Sequence, residues 1–216
     1  MAKKNKFSLR CPLCRHKAEF MCKTDSGVYC KCSGCLSAFL DPDYYLSESK
    51  EKERYDTHNN DPFDPGYKNF VRPIVSEIKK KFSTKDLGLD FGCGSGAPIS
   101  AMLSEEGYKI HRYDPFFVNN KRLLKTSYDY IACCEVIEHF HNPADEFNLL
   151  RKILNKNGAL FCKTEIFSGD VNFQEWYYKN DPTHVFFYSR DAFKFICEHF
   201  AFKSFKIKQR LIFFEG

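Results

Sequence analysis

The sequence predicts an α/β fold with a mostly parallel sheet, preceded by a small cysteine-rich segment. Residues 86–91 form an apolar run that leads into a glycine-rich turn and then into apolar residues at helical spacing. Residues 128–134 form a second apolar run, which leads directly into a group of carboxylates and a histidine. Strands that alternate with helical segments are typical of parallel sheets, and continuously apolar strands are typical of sheets covered on both faces.

The composition fits one ordinary α/β domain with a small appendage. Hydrophobic residues make up 43% of the 216 residues, with 23 Phe and 12 Tyr, so a large core can form without disulfides. The net charge of +5 permits an anionic partner without requiring one. No apolar run approaches the ~18 residues that cross a membrane, and the basic start lacks the apolar stretch of a secretory signal. We therefore expect a cytoplasmic protein with no membrane partner, in which cysteines are metal ligands or buried thiols.

Two cysteine pairs near the amino terminus have the spacing of metal ligands. Cys11 and Cys14 form CPLC, Cys32 and Cys35 form CSGC, and seventeen residues separate the pairs. Each pair fits a tight turn that points two thiolates at one ion, and two such turns suit tetrahedral Zn²⁺. A segment of about forty residues cannot build a self-sufficient core, so metal binding would supply folding free energy. The pattern predicts a structural zinc ribbon, with Cys30 as the alternative to Cys32.

The glycine-rich turn after the first core strand indicates a nucleoside site. Asp90, Gly92, Gly94 and Gly96 lie in LDFGCGSG, and Asp114 ends the next predicted strand. Glycines let a ligand approach the backbone closely and permit positive φ. A carboxylate at the tip of the second strand can accept both hydroxyls of a ribose. The pattern predicts an adenosine-containing cofactor, and the glycines alone also satisfy the dinucleotide fingerprint.

A group of ionisable residues follows the strand at residues 128–134. Glu135, Glu138 and His139 lie at offsets of zero, three and four, which would place them on one face of a helical turn. The carboxyl end of that strand borders the cofactor crevice of an open α/β sheet. His184 lies beyond a turn in NDPTH and joins the group if its loop folds over the same edge. Such residues can bind a divalent ion or move a proton, with His139, His184 and Glu138 as candidate catalytic groups.

Together, LDFGCGSG and EVIEHF resemble the motifs of class I S-adenosylmethionine-dependent methyltransferases. The resemblance implies a Rossmann-like methyltransferase fold, an α/β architecture with a mostly parallel sheet of the seven-stranded type. Only thirteen residues separate Asp114 from Tyr128, so the fold is abbreviated after its second strand and its usual adenine contact is unassigned. The residues implied to hold S-adenosyl-L-methionine are Asp90, Gly92, Gly94, Gly96, Asp114 and Glu135.

The EVIEH stretch carries a second resemblance. It is similar to the metal-binding stretch of the ubiquinone-pathway O-methyltransferases. With a later histidine, it also resembles the small-RNA 3′-terminal 2′-O-methyltransferases, which implies a divalent metal held by Glu135, Glu138, His139 and His184. Because EVIEH also occurs in members of the superfamily without a metal, an acid/base role and local helix capping remain alternatives.

We expect three segments along the chain. Residues 1–45 form the zinc ribbon, residues 46–84 a helical linker or lid, and residues 85–216 the S-adenosylmethionine-binding domain. By resemblance to related methyltransferases, Tyr55 and His58 are expected to fold over the cofactor. The alternative is a polar linker that carries a helix.

The remaining elements follow from helix formers, proline positions and apolar spacing. Residues 48–67 begin with helix formers and are expected to break at Pro62 and Pro65. Residues 70–82 and residues 142–155 are predicted as helices. The carboxyl-terminal residues alternate apolar and polar side chains, which predicts strands at the sheet edge.

The leading functional prediction is methyl transfer to an oxygen of a small-molecule acceptor. Metal-assisted 2′-O methylation of RNA is the alternative. It is favoured by the predicted zinc ribbon, by the net positive charge and by the residues that could bind a divalent metal. The sequence lacks the clear basic stripe with interleaved aromatics that a strand-tracking surface would show. A non-catalytic module that binds zinc and the cofactor is a third reading. The sequence does not decide between a monomer and a homodimer.

Overall fold

The computed structural model of the protein describes residues 9–57 and 61–216, which form two β-sheets and five α-helices. The helices are α1 (Glu48–Asp56), α2 (Pro65–Lys81), α3 (Pro98–Glu105), α4 (Pro143–Ile153) and α5 (Arg190–His199). The strands are β1 (Ala18–Thr24), β2 (Gly27–Cys32), β3 (Ala38–Leu40), β4 (Leu87–Phe91), β5 (Lys109–Tyr113), β6 (Tyr128–Cys134), β7 (Leu154–Lys163), β8 (Phe186–Phe187), β9 (Ser204–Lys208) and β10 (Leu211–Glu215). Within these ranges, every helix is too short or too polar to cross a bilayer.

The larger sheet has six strands in the order β5-β4-β6-β7-β10-β9. The first four strands are parallel, and β10 pairs antiparallel with both β7 and β9. Val71 of α2 and Leu103 of α3 belong to one buried cluster, whereas Phe147 of α4 and Phe193 of α5 belong to another. Because helices cover both faces, the central strands are apolar along their length. The predicted Rossmann-like, mostly parallel sheet is confirmed.

The stretch between β5 and β6 is short, as the sequence predicts. Asp114 and Val118 form an isolated antiparallel bridge, and a single 3₁₀ turn follows at Lys121–Lys125. The side chain of Asn120 accepts a hydrogen bond from the backbone of Arg122 and caps this turn. Neither a helix nor a further strand stands here, so β5 is the edge strand of the sheet. Asp114, directly after β5, therefore starts a compact loop.

The smaller sheet joins two distant parts of the chain. Its strand order is β1-β2-β3-β8, and all neighbouring strands are antiparallel. Ala38 pairs with Phe187 and Phe39 pairs with Phe186. The fourth strand of the cysteine-rich ribbon is therefore supplied by residues that directly follow the loop of His184.

Two helix boundaries differ from the sequence prediction. Pro65 was expected to break a helix, but it is the first residue of α2, which therefore starts five residues earlier than expected. Proline fits that position because its missing N–H would be unpaired there in any case. Asp64 accepts a hydrogen bond from Tyr67 N at 2.6 Å and caps the helix. At the other boundary, α4 ends at Ile153 because Leu154 already pairs with Tyr128 in the sheet.

Candidate active site and cysteine cluster

A cavity of about 980 Å³ opens at the carboxyl ends of the parallel strands. The turns after β4 and β5 contribute Gly92, Gly94 and Asp114 to its wall. The segment after β6 contributes Glu135 and His139. Ligands of open α/β sheets bind at this edge, outside the strand ends. The cavity thus brings the predicted cofactor turn together with the predicted ionisable group.

Glycine is required at the first position of the cofactor turn. Gly92 has φ +72°, and a Cβ placed there would lie 2.5 Å from Cγ2 of Val136. Gly94 also has a positive φ, at 63°. L-residues with a side chain rarely adopt this conformation. A larger residue at position 92 would therefore have to displace the start of the segment that carries Glu138 and His139.

The carboxylate of Asp114 is oriented by three backbone donors. Oδ1 accepts from the N–H groups of Phe116 and Phe117, at 2.8 and 3.1 Å. Oδ2 accepts from Gly94 N at 3.0 Å. Oδ2, which accepts only this one bond, has a further lone pair available to a ligand. Asp114 is 7% exposed and lines the cavity, so the group expected to bind a ribose is held at the cavity wall.

Asp90 and Gly96, also predicted to contact the cofactor, are not among the residues that line the cavity. The carboxylate of Asp90 instead accepts from N and Oγ of Ser100, at 3.2 and 2.8 Å. Burial raises the pKa of Asp90 to about 6, although the hydrogen bonds from Ser100 oppose this shift. Asp90 therefore secures the first turn of α3, and a direct contact to the cofactor stays a prediction for both residues.

Helix α1 lies against the cavity. Tyr55 lines it, and the Tyr55 ring centroid lies 5.3 Å from that of Phe116. Three side-chain pairs join α1 to the loops after β6 and before β8, at distances of 3.3, 2.7 and 2.7 Å: Tyr55–His139, Glu51–His141 and Arg54–Asp181. The helix thus covers one side of the cavity. His58, the second predicted lid contact, lies outside the described residues.

The spacing predicted that Glu135 shares a helix face with Glu138 and His139. The structure shows that it does not. A 3₁₀ turn covers only Ile137–His139, and Glu135 precedes it with φ 52°. Burial and the neighbouring Glu138 raise the pKa of Glu135 to about 8, against the opposing effect of Arg210. The reason for the departure is the left-handed backbone, which turns the carboxylate towards Arg210.

His139 and His184 are held in the same tautomer by backbone carbonyls. Nδ1 of His139 lies 2.9 Å from Thr183 O, and Nδ1 of His184 lies 2.6 Å from Tyr178 O. A carbonyl oxygen only accepts, so each Nδ1 carries the proton and each Nε2 has a lone pair. Burial, followed by the neighbouring His139, lowers the pKa of His184. The centroids of the two rings lie 4.7 Å apart, so the two imidazoles are direct neighbours.

Glu138 lies beside these two imidazoles. Its side chain is fully buried, and burial raises the pKa of Glu138. Oε1 accepts a hydrogen bond from the hydroxyl of Tyr178, whereas Oε2 has no hydrogen-bond partner among the described residues. One potential ligand atom from each of Glu138, His139 and His184 lies within 4.8 Å of the others. The structure thus brings three of the four predicted metal ligands together and leaves out Glu135.

Arg210 was not predicted as a site residue, and Tyr178 lies in an aromatic run that the sequence leaves open between core packing and a wall of the acceptor pocket. The hydroxyl of Tyr178 lies within hydrogen-bond distance of Glu138, of Glu135 Oε2 at 3.1 Å and of Thr164 Oγ1 at 3.0 Å. Arg210 comes from the turn between β9 and β10. The aromatic run around Tyr178 is typical of core packing, and nothing in the sequence indicates the acidic partners of Arg210.

The four predicted cysteines form one buried cluster. Their sulfur atoms lie within 4.8 Å of one another, with 3.7 Å between Cys11 and Cys35 and 3.3 Å between Cys14 and Cys32. Cys30 is not part of the cluster; it lies in β2, and burial raises the pKa of its thiol to about 12. The arrangement favours Cys32 over Cys30 as the fourth ligand.

The backbone around the cysteines has the form of two matching turns. Cys32 Sγ accepts from Gly34 N at 3.3 Å and from Cys35 N at 3.4 Å. The residues that follow the two pairs, Arg15 and Leu36, have φ values of 62° and 56°. N–H groups aimed at sulfur stabilise a thiolate, which is the form that binds a metal. The turns therefore suit a four-thiolate metal site.

Known proteins resemble this chain in both sequence and fold. A family model described as "Methyltransferase domain" matches residues 63–205. The tRNA U34 carboxymethyltransferase of Campylobacter jejuni is 27% identical over 165 residues, which covers 64% of this chain and 55% of that protein. The chain thus spans about half the length of the curated relatives it matches.

Two solved structures share the fold at low sequence identity. Magnesium protoporphyrin IX methyltransferase from Synechocystis PCC 6803, with bound SAH, has a TM-score of 0.55 at 14% identity, covering 80% of this chain and 96% of that one. A 1,6-didemethyltoxoflavin-N1-methyltransferase from Burkholderia thailandensis has a TM-score of 0.55 at 12% identity, covering 83% and 95%. The family match, with the sheet order and the glycine turn, confirms the resemblance seen in the sequence. The chain belongs to the methyltransferase-domain family and shares the fold of solved S-adenosylmethionine-dependent methyltransferases.

Proposed function

We propose that the protein transfers a methyl group from S-adenosylmethionine to a hydroxyl oxygen of a small-molecule acceptor, beside His139 and His184. The observation that carries this proposal is the shared tautomer of the two imidazoles, each with a basic Nε2 and both at the cavity wall. An alcohol needs its proton removed or its charge stabilised before it can attack a methyl group. Neutral imidazoles can accept that proton near neutral pH.

The residues of the cavity suit the methyl donor. Its sulfonium supplies an electrophilic methyl group. Asp114 would accept a hydrogen bond from a ribose hydroxyl through Oδ2, and the backbone of Gly92 and Gly94 leaves room for the nucleoside. Helix α1, with Tyr55, would limit the access of water, and a dry site strengthens the electrostatic contacts within it.

The charge of the cavity favours a neutral or cationic acceptor. None of the described residues that line it is Lys or Arg. A phosphate or carboxylate on the acceptor would therefore meet no cationic side chain there and would be repelled by the acidic lining. The same lining attracts the cationic sulfonium. The lining carboxylates are Glu48, Glu51, Asp114, Glu135, Glu146 and Asp181.

As the alternative to this base role, we propose a divalent cation at Glu138, His139 and His184, since an Nε2 that binds a metal has no lone pair left for a proton. The fit rests on the buried Glu138 Oε2, which has no hydrogen-bond partner among the described residues, and on the two imidazoles, which with Glu138 offer ligand atoms within 4.8 Å of one another. A buried carboxylate oxygen without a partner is costly unless a ligand satisfies it. Two imidazoles and one carboxylate suit several divalent metals. A bound cation would lower the pKa of the acceptor hydroxyl. The four-cysteine cluster is proposed to hold a separate, structural Zn²⁺.

One specific observation supports RNA as the second candidate acceptor. Residues 109–125 carry five exposed cations, and their one carboxylate, Asp114, is buried. This segment also forms part of the cavity wall through Phe116 and Leu124. Phosphates could therefore bind outside the cavity while a ribose hydroxyl enters it. The cations are Lys109, Arg112, Lys121, Arg122 and Lys125.

A methyl-transfer assay separates the two acceptors. The purified protein is given S-adenosylmethionine labelled in its methyl group, together with either a small-metabolite extract or total small RNA. Label in the small-molecule fraction alone is the expected result. Label in RNA would replace the first proposal with the second, and no transfer to either fraction, with normal cofactor binding, would favour a binding module.

The cation proposal has its own test. Mn²⁺ is titrated by calorimetry into protein whose cysteine cluster is already zinc-loaded. The wild type and a His141→Gln variant are expected to bind Mn²⁺, because His141 contacts Glu51 and lies outside the cluster. His184→Gln is expected to lose binding. Equal Mn²⁺ affinity in His184→Gln and the wild type would leave only the acid/base role.

A further inference from the structure

A single short segment contacts both the cysteine ribbon and the 3₁₀ turn Ile137–His139, which we call the catalytic turn. We define residues 185–189, which contain β8, as the bridging segment. On the ribbon side, β8 pairs with β3, and Leu40 N donates to Val185 O at 2.9 Å. On the other side, Val185 N donates to Glu138 O at 2.9 Å. Val185 therefore uses its carbonyl for the ribbon and its N–H for the catalytic turn.

The far end of the bridging segment is tied to the second cysteine turn. Ser189 Oγ donates to Cys35 O at 2.5 Å, and Ser189 N donates to Ser37 Oγ at 3.1 Å. Ser37 O in turn accepts from Cys32 N at 2.9 Å. Ser37 and Ser189 are both buried, so these bonds are shielded from competing water. The backbone of Cys35 is thus linked directly to Ser189, and that of Cys32 is linked to it through Ser37.

A second link runs from the bridging segment to the catalytic turn. The hydroxyl of Tyr188 donates to Ile137 O at 2.9 Å. Ile137 and Glu138 both belong to the 3₁₀ turn, and His184 directly precedes the segment. From Ser189 to Val185 the chain spans about 13 Å if extended, because strands rise ~3.3 Å per residue. An extended and paired segment has little slack, so a shift at one end reaches the other.

We propose that the metal ion held by the four cysteines positions His184 and Glu138 through the bridging segment. Without the ion, the turn at Cys32 and Cys35 is no longer held in one geometry. Ser189 and β3, which are bonded to or continue from this turn, then also lose their fixed positions. Catalytic groups must be held to within a fraction of an ångström, and a misplacement of about 1 Å can cost ~100-fold in rate. The ribbon is then a support of the active site. The consequence for turnover rests on the proposed function of His184 and Glu138.

Ser189 is the positioning residue that tests this link without touching a cysteine. In zinc-loaded, full-length protein, Ser189→Ala removes the donor to Cys35 O. We expect the amides of Val185 and His139 to exchange with solvent about tenfold faster, since local opening sets these rates. Ser189→Thr keeps the hydroxyl and is expected to restore slow exchange. Ser204→Ala removes a comparable hydroxyl bond, to Glu215 in the β9–β10 hairpin, and is expected to leave both amides unchanged.

Ser189 also caps α5 by accepting from Ala192 N at 3.1 Å, so a second measurement separates the two roles. Zinc is removed from the wild type with a chelator, which leaves this cap in place. Faster exchange at Val185 and His139, with slow exchange retained at Ala101 of α3, supports the proposal. Unchanged exchange at Val185 and His139 after zinc loss, while Cys32 exchanges faster, would overturn it.

Turnover and cofactor affinity complete the test. In Ser189→Ala, kcat is expected to fall about tenfold, consistent with a displaced catalytic group, while the affinity for S-adenosylhomocysteine changes less than about twofold. Among the described residues, the glycine turn that contacts the cofactor makes no hydrogen bond to the bridging segment, so the affinity for S-adenosylhomocysteine should hold. Faster exchange with unchanged turnover would confirm the coupling and reject the catalytic assignment of His184 and Glu138. Should zinc removal unfold the whole chain, Ser37→Ala decides the outcome, because it removes the acceptor of Ser189 N and leaves the α5 cap in place. Faster exchange at Val185 and His139 in this variant supports the proposal, and unchanged exchange overturns it.

Discussion

Arg210 and Glu135 form an ion pair at the carboxyl edge of the large sheet, with Nη2 of Arg210 2.9 Å from both carboxylate oxygens. Arg210 Nε also lies 3.0 Å from Glu165 Oε1. The guanidinium opposes the rise in the pKa of Glu135 that burial and Glu138 produce. The pair therefore ties the carboxyl-terminal hairpin to the segment that carries the catalytic turn.

Removing Arg210 should leave Glu135 partly buried without its cation. We expect Arg210→Met to lower the free energy of unfolding by about 2 kcal/mol, the size of a hydrogen bond to a charged group. The loss should be smaller in a Glu135→Gln background, because no charge is then stranded. Urea unfolding of the four proteins at pH 9, where Glu135 with its pKa of about 8 is ionised, measures this coupling. Lys208→Met is the control, since Lys208 is 71% exposed in its ion pair and should cost less than about 0.5 kcal/mol.

Asp114 is expected to dominate recognition of the cofactor ribose. Asp114→Asn keeps the shape of the side chain but replaces one acceptor by a donor and removes the charge. We expect the affinity for S-adenosylhomocysteine to fall about tenfold or more, since charge-assisted hydrogen bonds are the stronger class. Asp129→Asn is the control, because Asp129 accepts from Leu87 N and Asn155 at the opposite edge of the sheet. Equal losses in the two variants, measured by calorimetry, would contradict the assigned ribose site.

The cysteine cluster should hold about one zinc ion per chain, as a four-thiolate site does. Cys11→Ser removes a ligand and is expected to lose the metal in elemental analysis of the purified protein. Cys30→Ser changes an equally buried cysteine outside the cluster and should keep the metal at full stoichiometry. Zinc lost from Cys30→Ser but retained in Cys11→Ser would mean that the ligand set is wrong.

Asp90 should make stability depend on pH in a defined direction. Burial raises its pKa in the folded protein to about 6, from an ordinary value of 3.8. Between these values the folded chain binds a proton that the unfolded chain does not, so the contribution of Asp90 falls as pH rises. The slope is at most about 1.4 kcal/mol per pH unit. The difference in unfolding free energy between the wild type and Asp90→Asn should therefore decrease from pH 4 to 6. Any loss of zinc at low pH affects both proteins and cancels in this difference. A difference that rises with pH would place the folded pKa below 3.8.

Sequence patterns predict those features of the structure that depend on residues close together in the chain. The positive φ of Gly92 and the carboxylate of Asp114 at the strand tip follow from residues close together in the chain. The abbreviated stretch after β5 is visible from its length alone. Glu135 shows the limit of such reasoning, because helical spacing holds only where the backbone is helical, and φ at Glu135 is 52°.

Long-range partners could not be predicted from one sequence. Arg210 reaches Glu135 across 75 positions, and no periodicity links a turn arginine to a distant carboxylate. Strand β8 has two residues, Phe186 and Phe187, which is too short to show the alternation that marks a strand. Its pairing with β3 depends on the ribbon being folded nearby, so it emerges only in three dimensions.

The pairing of β3 with β8 also sets an order of events during synthesis. The ribosome releases the cysteine turns early, but Phe39 must wait for Phe186, which is made 147 positions later. Until then the nascent ribbon has an unpaired and apolar strand edge, the kind of edge that recruits other chains. A chaperone that shields residues 38–40 would therefore protect the growing polypeptide until translation has passed residue 187.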